Sequence, residues 1–166
     1  MGAADVVYVA VCGGDDADED TSAEAEQIGR LLARAGAVVV CGGGRGVMEG
    51  VARGAAAEGG TSIGILPGSD RSGGNEYLTL SLPTGIGEMR NVLVVRAADV
   101  LIAVGGEFGT LAEVAFALKT GVPVVGLRTW ELGKDGETVD AFVRASSAAD
   151  AVDHGLRLAR ERTRRP

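Results

Sequence analysis

Apolar residues along this chain gather into short unbroken runs, separated by longer stretches in which they recur every three or four positions. Residues 6–11, 38–41, 62–66, 100–104 and 122–127 are nearly continuous apolar runs, the pattern of strands buried on both faces. Residues 22–35, 47–58, 87–98, 110–120 and 148–162 have helical spacing, as at Ala25, Ile28, Leu31, Leu32 and Ala35. Thr21 or Ser22 suits the N-cap of the first helix and Gly36 its stop. Gly59-Gly60 and Gly121 close two others. Residues 67–74 read as a loop, 77–82 as a short extended piece and Asp135-Gly136 as a turn. Strands alternating with helices predict a doubly wound α/β fold, Rossmann-like, with a mostly parallel sheet and helices on both faces. No linker or internal repeat divides residues 1–166, so a single domain is expected.

In such a sheet, ligands settle beyond the carboxyl ends of the strands, where the strand order reverses. An order of the 3-2-1-4-5 kind would bring together the glycine loops after the first, second and fourth strands. These loops hold Gly13 and Gly14, then Gly43 and Gly44, then Gly105, Gly106 and Gly109 with Thr110. The last is the most informative, because a strand that turns through glycines into a helix aims backbone N–H groups and a positive dipole end at one spot, which suits phosphate. Glu113 stands in the first turn of that helix, leaning back toward the same spot.

Arg90 precedes residues 92–95, which are apolar almost all round, and its planar guanidinium suits phosphate or carboxylate. That apolar breadth exceeds what one sheet face covers and predicts a subunit interface. Plainer roles stay open at this point: tight turns for the glycines, an N-cap for Thr110 and a surface position for Arg90.

Composition narrows the functions. A net charge of −7 argues against a general nucleic-acid binder. The acidic run at residues 15–20 reads as a solvated loop in preference to a metal-binding one, and no metal site is expected. Cys12 and Cys41 each end an apolar strand just before glycines and read as small buried residues in a reducing compartment, with a place beside a ligand left open. Nothing resembles a signal peptide and no apolar run approaches about 18–20 residues, so a cytoplasmic protein without membrane partners is expected. His154 suits a helix surface, and Arg160, Arg162, Arg164 and Arg165 suit a helix C-terminus and solvent.

The segment VGGEFGTLAE resembles the PGGxGTxxE signature of the Lonely Guy proteins, cytokinin-activating phosphoribohydrolases once misnamed lysine decarboxylases. CGGGRGVMEG resembles their first glycine motif, and EMRN falls where their arginine-lysine pair stands. The resemblance spans roughly residues 6 to 127. It implies a Rossmann-like fold binding nucleoside monophosphates, with phosphate on Gly105, Gly106, Gly109 and Thr110 and with Arg90 and Glu113 as the catalytic pair. Three departures, Val104 for proline, Asn91 for lysine and a shorter first glycine motif, look closer to a sister branch that includes molybdenum cofactor carrier proteins.

The preferred expectation is hydrolysis of the N-glycosidic bond of a nucleoside 5′-monophosphate, giving free base and ribose 5-phosphate. Glu113 would stabilise positive charge at the anomeric carbon while the helix end fixes the phosphate. The alternative is a non-catalytic carrier or sensor of a phosphate-bearing ligand, molybdenum cofactor first among them. Either way no cofactor is required for function, a nucleoside monophosphate or molybdenum cofactor is the bound molecule, and a homo-oligomer (dimer or tetramer) is expected. Lysine decarboxylation is disfavoured, since no lysine sits in a pattern suited to pyridoxal phosphate.

Overall fold

In the computed structural model, which describes residues 6–163, the apolar runs become the middle of one parallel sheet. In chain order the strands are β1 (Tyr8–Gly13), β2 (Val38–Cys41), β3 (Thr61–Leu66), β4 (Leu80–Pro83), β5 (Val100–Val104) and β6 (Val124–Leu127). A hairpin of β7 (Leu132–Lys134) and β8 (Glu137–Val139) follows, then β9 (Val143–Ala145). All but the hairpin share one sheet in the order β4-β3-β2-β1-β5-β6-β9, and every pairing in it is parallel. The expected 3-2-1-4-5 order is its centre, β3-β2-β1-β5-β6, and β4 and β9 extend the two edges.

The helices are α1 (Glu19–Arg34), α2 (Val47–Ala57), α3 (Asn91–Arg96), α4 (Phe108–Thr120) and α5 (Ala148–Thr163). Two apolar clusters bracket the sheet. On one face Val9, Val39, Ile102 and Val125 meet Ile28 and Leu32 of α1, Val51 of α2 and Val152 of α5. On the other, Ala10, Cys12, Leu101 and Val124 meet Val94 and Val95 of α3 and Val114 and Ala117 of α4. This second face is thinly covered, because α3 has only six residues. Leu80 and Leu82 of β4, in register with Ile63 and Ile65, are left about half exposed there.

Several boundaries differ from the sequence reading, for local reasons. Asp18, not Thr21 or Ser22, caps α1: its Oδ1 accepts the Thr21 amide at 2.7 Å. Glu19 and Asp20 then sit in the first turn, where the helix dipole favours negative charge. Half of the acidic run is therefore a helix start and not a loop. The helix expected over 87–98 is divided: Gly87 enters at φ +60°, Gly87–Arg90 is wound as a 3-10 turn, and α3 follows. Thr110 is not an N-cap, since α4 starts two residues earlier with Glu107 in that place.

The turn at Asp135-Gly136, with φ of +56° and +83°, joins β7 to β8. His154 lies on α5, with Nε2 3.1 Å from Asp150 Oδ1. Arg162 does not simply face solvent: its Nη1 donates to the Ala98 carbonyl at 3.0 Å. Arg164 and Arg165 lie outside the described residues. No helix among the described residues is long and apolar enough to cross a membrane.

Candidate functional site

Beyond the carboxyl ends of β1, β2 and β5, where the strand order reverses, a cleft of about 450 Å³ opens. Gly13, Gly14, Arg90, Gly109, Thr110 and Glu113 all stand on its wall. From the second glycine loop, Gly42 reaches the wall in place of Gly43 and Gly44. Gly43 is buried at φ +77°, and a Cβ there would stand 2.3 Å from Leu66 Cδ2. Its glycine thus serves close packing against β3. Asn75, which the sequence reading did not single out, ties this loop down: its Nδ2 donates to the carbonyls of Gly43 at 3.2 Å and Gly44 at 2.9 Å.

Gly105 (φ +53°) and Gly106 (φ +97°) do not line the cleft; they bend the chain so that α4 points its N-terminus into it. Glu107 occupies the N-cap position without a side-chain cap bond, so no side chain covers the first-turn amides. The start of α2 differs, because its Val47 amide donates to the Gly14 carbonyl at 3.1 Å. Of the two glycine-fed helix ends, α4 is the better anion cradle. A Cβ on Gly106 would fall 2.3 Å from Thr110 Oγ1, so glycine there lets Thr110 pack, and Thr110 is only 4% exposed.

The two charged candidates meet different surroundings. The Arg90 guanidinium donates through Nη1 to Asn91 Oδ1 and through Nη2 to the Gly42 carbonyl at 3.3 Å, while its Nε is buried without a protein partner. Glu113, 6% exposed, is pushed up to about 7 by burial, partly opposed by the charge of Arg90 and by a hydrogen bond with the Cys12 thiol. Burial, and then the Glu113 charge, hold the Cys12 thiol well above its ordinary value. Burial also pushes Cys41 up to about 11, so both cysteines are unreactive thiols. Cys12 nevertheless lines the cleft, whereas Cys41 packs in the core on the opposite sheet face.

A second hollow of about 520 Å³ adjoins the cleft, sharing Asn91, Gly109 and Glu113 with it. Met89, Val92, Phe108 and Phe116 give it an apolar floor. Met89 is 70% and Phe108 77% exposed, while Val94 and Val95 are wholly buried within the subunit. The apolar side chains available to a neighbour are thus not the central valines of the expected interface helix but Met89, Leu93 and Phe108. Asp15, Asp16, Glu88 and Glu107 make the mouth of the cleft acidic. Among the described residues no group of three or more histidine, cysteine or acidic side chains is placed to hold a metal ion.

The chain is 39% identical, over 123 residues, to an uncharacterized protein of Archaeoglobus fulgidus, covering 74% of this chain and 81% of that protein. Among solved structures, the molybdenum cofactor binding protein of the phototrophic bacterium Rippkaea orientalis is similar at a TM-score of 0.81 and 31% identity, with 90% of this chain and 94% of that one covered. The molybdenum cofactor carrier protein of Chlamydomonas reinhardtii is similar at a TM-score of 0.80 and 31% identity, covering 92% and 98%. These neighbours agree with the sister branch toward which Val104 and Asn91 point. The SLOG cluster4 family model matches residues 6–153, and the chain belongs to the SLOG cluster4 family.

Proposed function

We propose that this protein is a non-catalytic carrier or sensor of a small phosphate-bearing ligand, with molybdenum cofactor as the cargo. The sequence reading preferred hydrolysis; likeness to molybdenum cofactor binding and carrier proteins over nearly the whole chain carries the reversal. A buried carboxyl at about 7 suits an acid–base catalyst as well as a ligand donor, so Glu113 fits both readings. In a carrier, its protonated form would donate to ligand oxygens or ring nitrogens.

The donor set fits the cargo. The α4 amides and Arg90 suit the phosphate, and Asp15, Asp16 and Asn91 offer acceptors to the N–H edges of a pterin. The acidic mouth disfavours a nucleic-acid backbone.

The functional unit in this reading is a homo-oligomer working without a membrane partner, in the cytoplasm. A second copy would cover exposed apolar side chains such as Leu80, Leu82, Met89, Leu93 and Phe108.

Native mass spectrometry of protein purified from its source tests the cargo and the assembly together. Base release from a panel of nucleoside 5′-monophosphates tests the rival function. A retained pterin phosphate with no base released is the expected result. Steady release of free base would overturn the carrier reading.

A further inference from the structure

The loop that aims α4 into the cleft is intrinsically loose, because Gly105 and Gly106 both sit at positive φ. Something outside the loop must hold it. Residues 127–130, at the end of β6 and just beyond it, hold it at three points. The Gly105 amide donates to the Leu127 carbonyl at 3.0 Å. Thr129 Oγ1 donates to the Gly105 carbonyl at 2.6 Å. Trp130 Nε1 donates to the Glu107 carbonyl at 3.2 Å.

The same indole lies 5.5 Å from the Phe108 ring, centroid to centroid, with the planes tilted by 40°. Phe108 is the first residue of α4 and is otherwise largely exposed. The strap is itself anchored: Arg128, in the left-handed region at φ +49°, pairs with Glu24 of α1, and Arg144 Nη1 donates to the Thr129 carbonyl at 3.4 Å. Neither Thr129 nor Trp130 lines the cleft.

We propose that Thr129 and Trp130 are positioning residues for the anion cradle, which they act on through the Gly105 and Glu107 carbonyls. Locking those two carbonyls fixes the peptide planes that lead into α4, and so fixes where the first-turn amides point. Trp130 couples the cradle to the β7–β8 hairpin that follows it. The proposal rests on the phosphate-ligand reading for its function but not for its structural test.

Peptide-level hydrogen exchange of the unliganded protein over residues 105–112 reads the strap directly. Thr129→Val removes the hydroxyl at nearly constant shape, and Thr129→Ser keeps it. Trp130→Phe keeps a ring beside Phe108 and removes the Nε1 donor. Faster exchange over 105–112 is expected in Thr129→Val and in Trp130→Phe, with near wild-type exchange in Thr129→Ser.

Affinity for inorganic phosphate and for AMP should fall about fivefold in Thr129→Val, the effect of one ordinary hydrogen bond, and recover in the serine variant. Trp130 is the only tryptophan, so its fluorescence in the wild type should change as either ligand saturates the site. Should Thr129→Val fail to fold, Trp130→Phe carries the same comparison. Exchange over 105–112 unchanged from wild type in both folded variants overturns the strap. Absence of phosphate and AMP binding to the wild type defeats the ligand reading alone, and the exchange comparison still decides the strap.

Discussion

The Cys12 thiol stands beside the Glu113 carboxyl at the carboxyl end of β1, where the sheet meets the first turns of α4. Both groups are almost wholly buried, and both face the floor of the cleft. Burial opposes the charged form of each, and the nearby Arg90 offsets only part of that penalty on Glu113. The deepest part of the site is thereby poised to change charge near neutral pH.

Stability should follow that charge. The folded protein holds the Glu113 proton up to about 7, against an ordinary value of 4.5. The stabilisation is therefore complete below the ordinary value and is lost as pH rises through about 7. The loss amounts to about 3.5 kcal/mol at most, at roughly 1.4 kcal/mol per pH unit. Urea unfolding at about pH 5 and about pH 8 should show wild type losing more stability than Glu113→Gln. Equal losses in the two proteins would show that Glu113 ionises normally.

Gly106→Ala should damage the cradle from within. The added Cβ would meet Thr110 Oγ1 at 2.3 Å, on a backbone at φ +97°. Thr110 must turn away, and the strain costs about 1–3 kcal/mol. A block that leaves the fold undisturbed, the simple expectation for a side chain at this glycine, does not follow from this geometry. Calorimetry should show AMP affinity reduced about tenfold or more, together with a lower melting temperature. A folded variant that binds AMP like wild type would place the phosphate elsewhere.

Gly42 and Arg90 should behave as one unit. A Cβ on Gly42 would stand 2.5 Å from Arg90 Nη2 and 2.7 Å from Met48 Sδ, both on flexible side chains. Gly42→Ala should therefore fold and displace the guanidinium. AMP affinity should fall in Gly42→Ala and in Arg90→Ala, but the double variant should be little worse than the worse single one. Additive losses would mean that Gly42 acts independently of Arg90.

Leu93 is 41% exposed on α3, whereas its neighbour Val94 is wholly buried. Sedimentation at micromolar concentration should show an oligomer for wild type and a monomer for Leu93→Arg. Val94→Ala should keep the assembly and lose about 2 kcal/mol of stability to a core cavity. A wild-type monomer would remove the oligomer from the proposed function.

The sequence by itself determined the centre of the sheet. Runs such as 38–41 and 100–104 are apolar throughout because β2 and β5 lie buried in the middle of the sheet, so periodicity alone locates them. It also determined which chain segments supply the cleft, since glycines at strand ends followed by helices mark ligand-facing turns. The edge strands were harder to see. β4 was anticipated only as a short extended piece and β9 was missed, because both are short and half-exposed and take their conformation from a neighbour's backbone.

Tertiary structure alone decided the chemistry inside the cleft. That Asn91 Oδ1 and the Gly42 carbonyl take up the Arg90 guanidinium depends on two segments far apart in the chain. That Glu113 is held near neutrality depends on its burial against Cys12, which no spacing along the chain encodes. The strap from Thr129 and Trp130 to the glycine loop is of the same kind. Local sequence sets backbone preference and which face is apolar, whereas a side chain's charge and reach are set by whatever folding brings beside it.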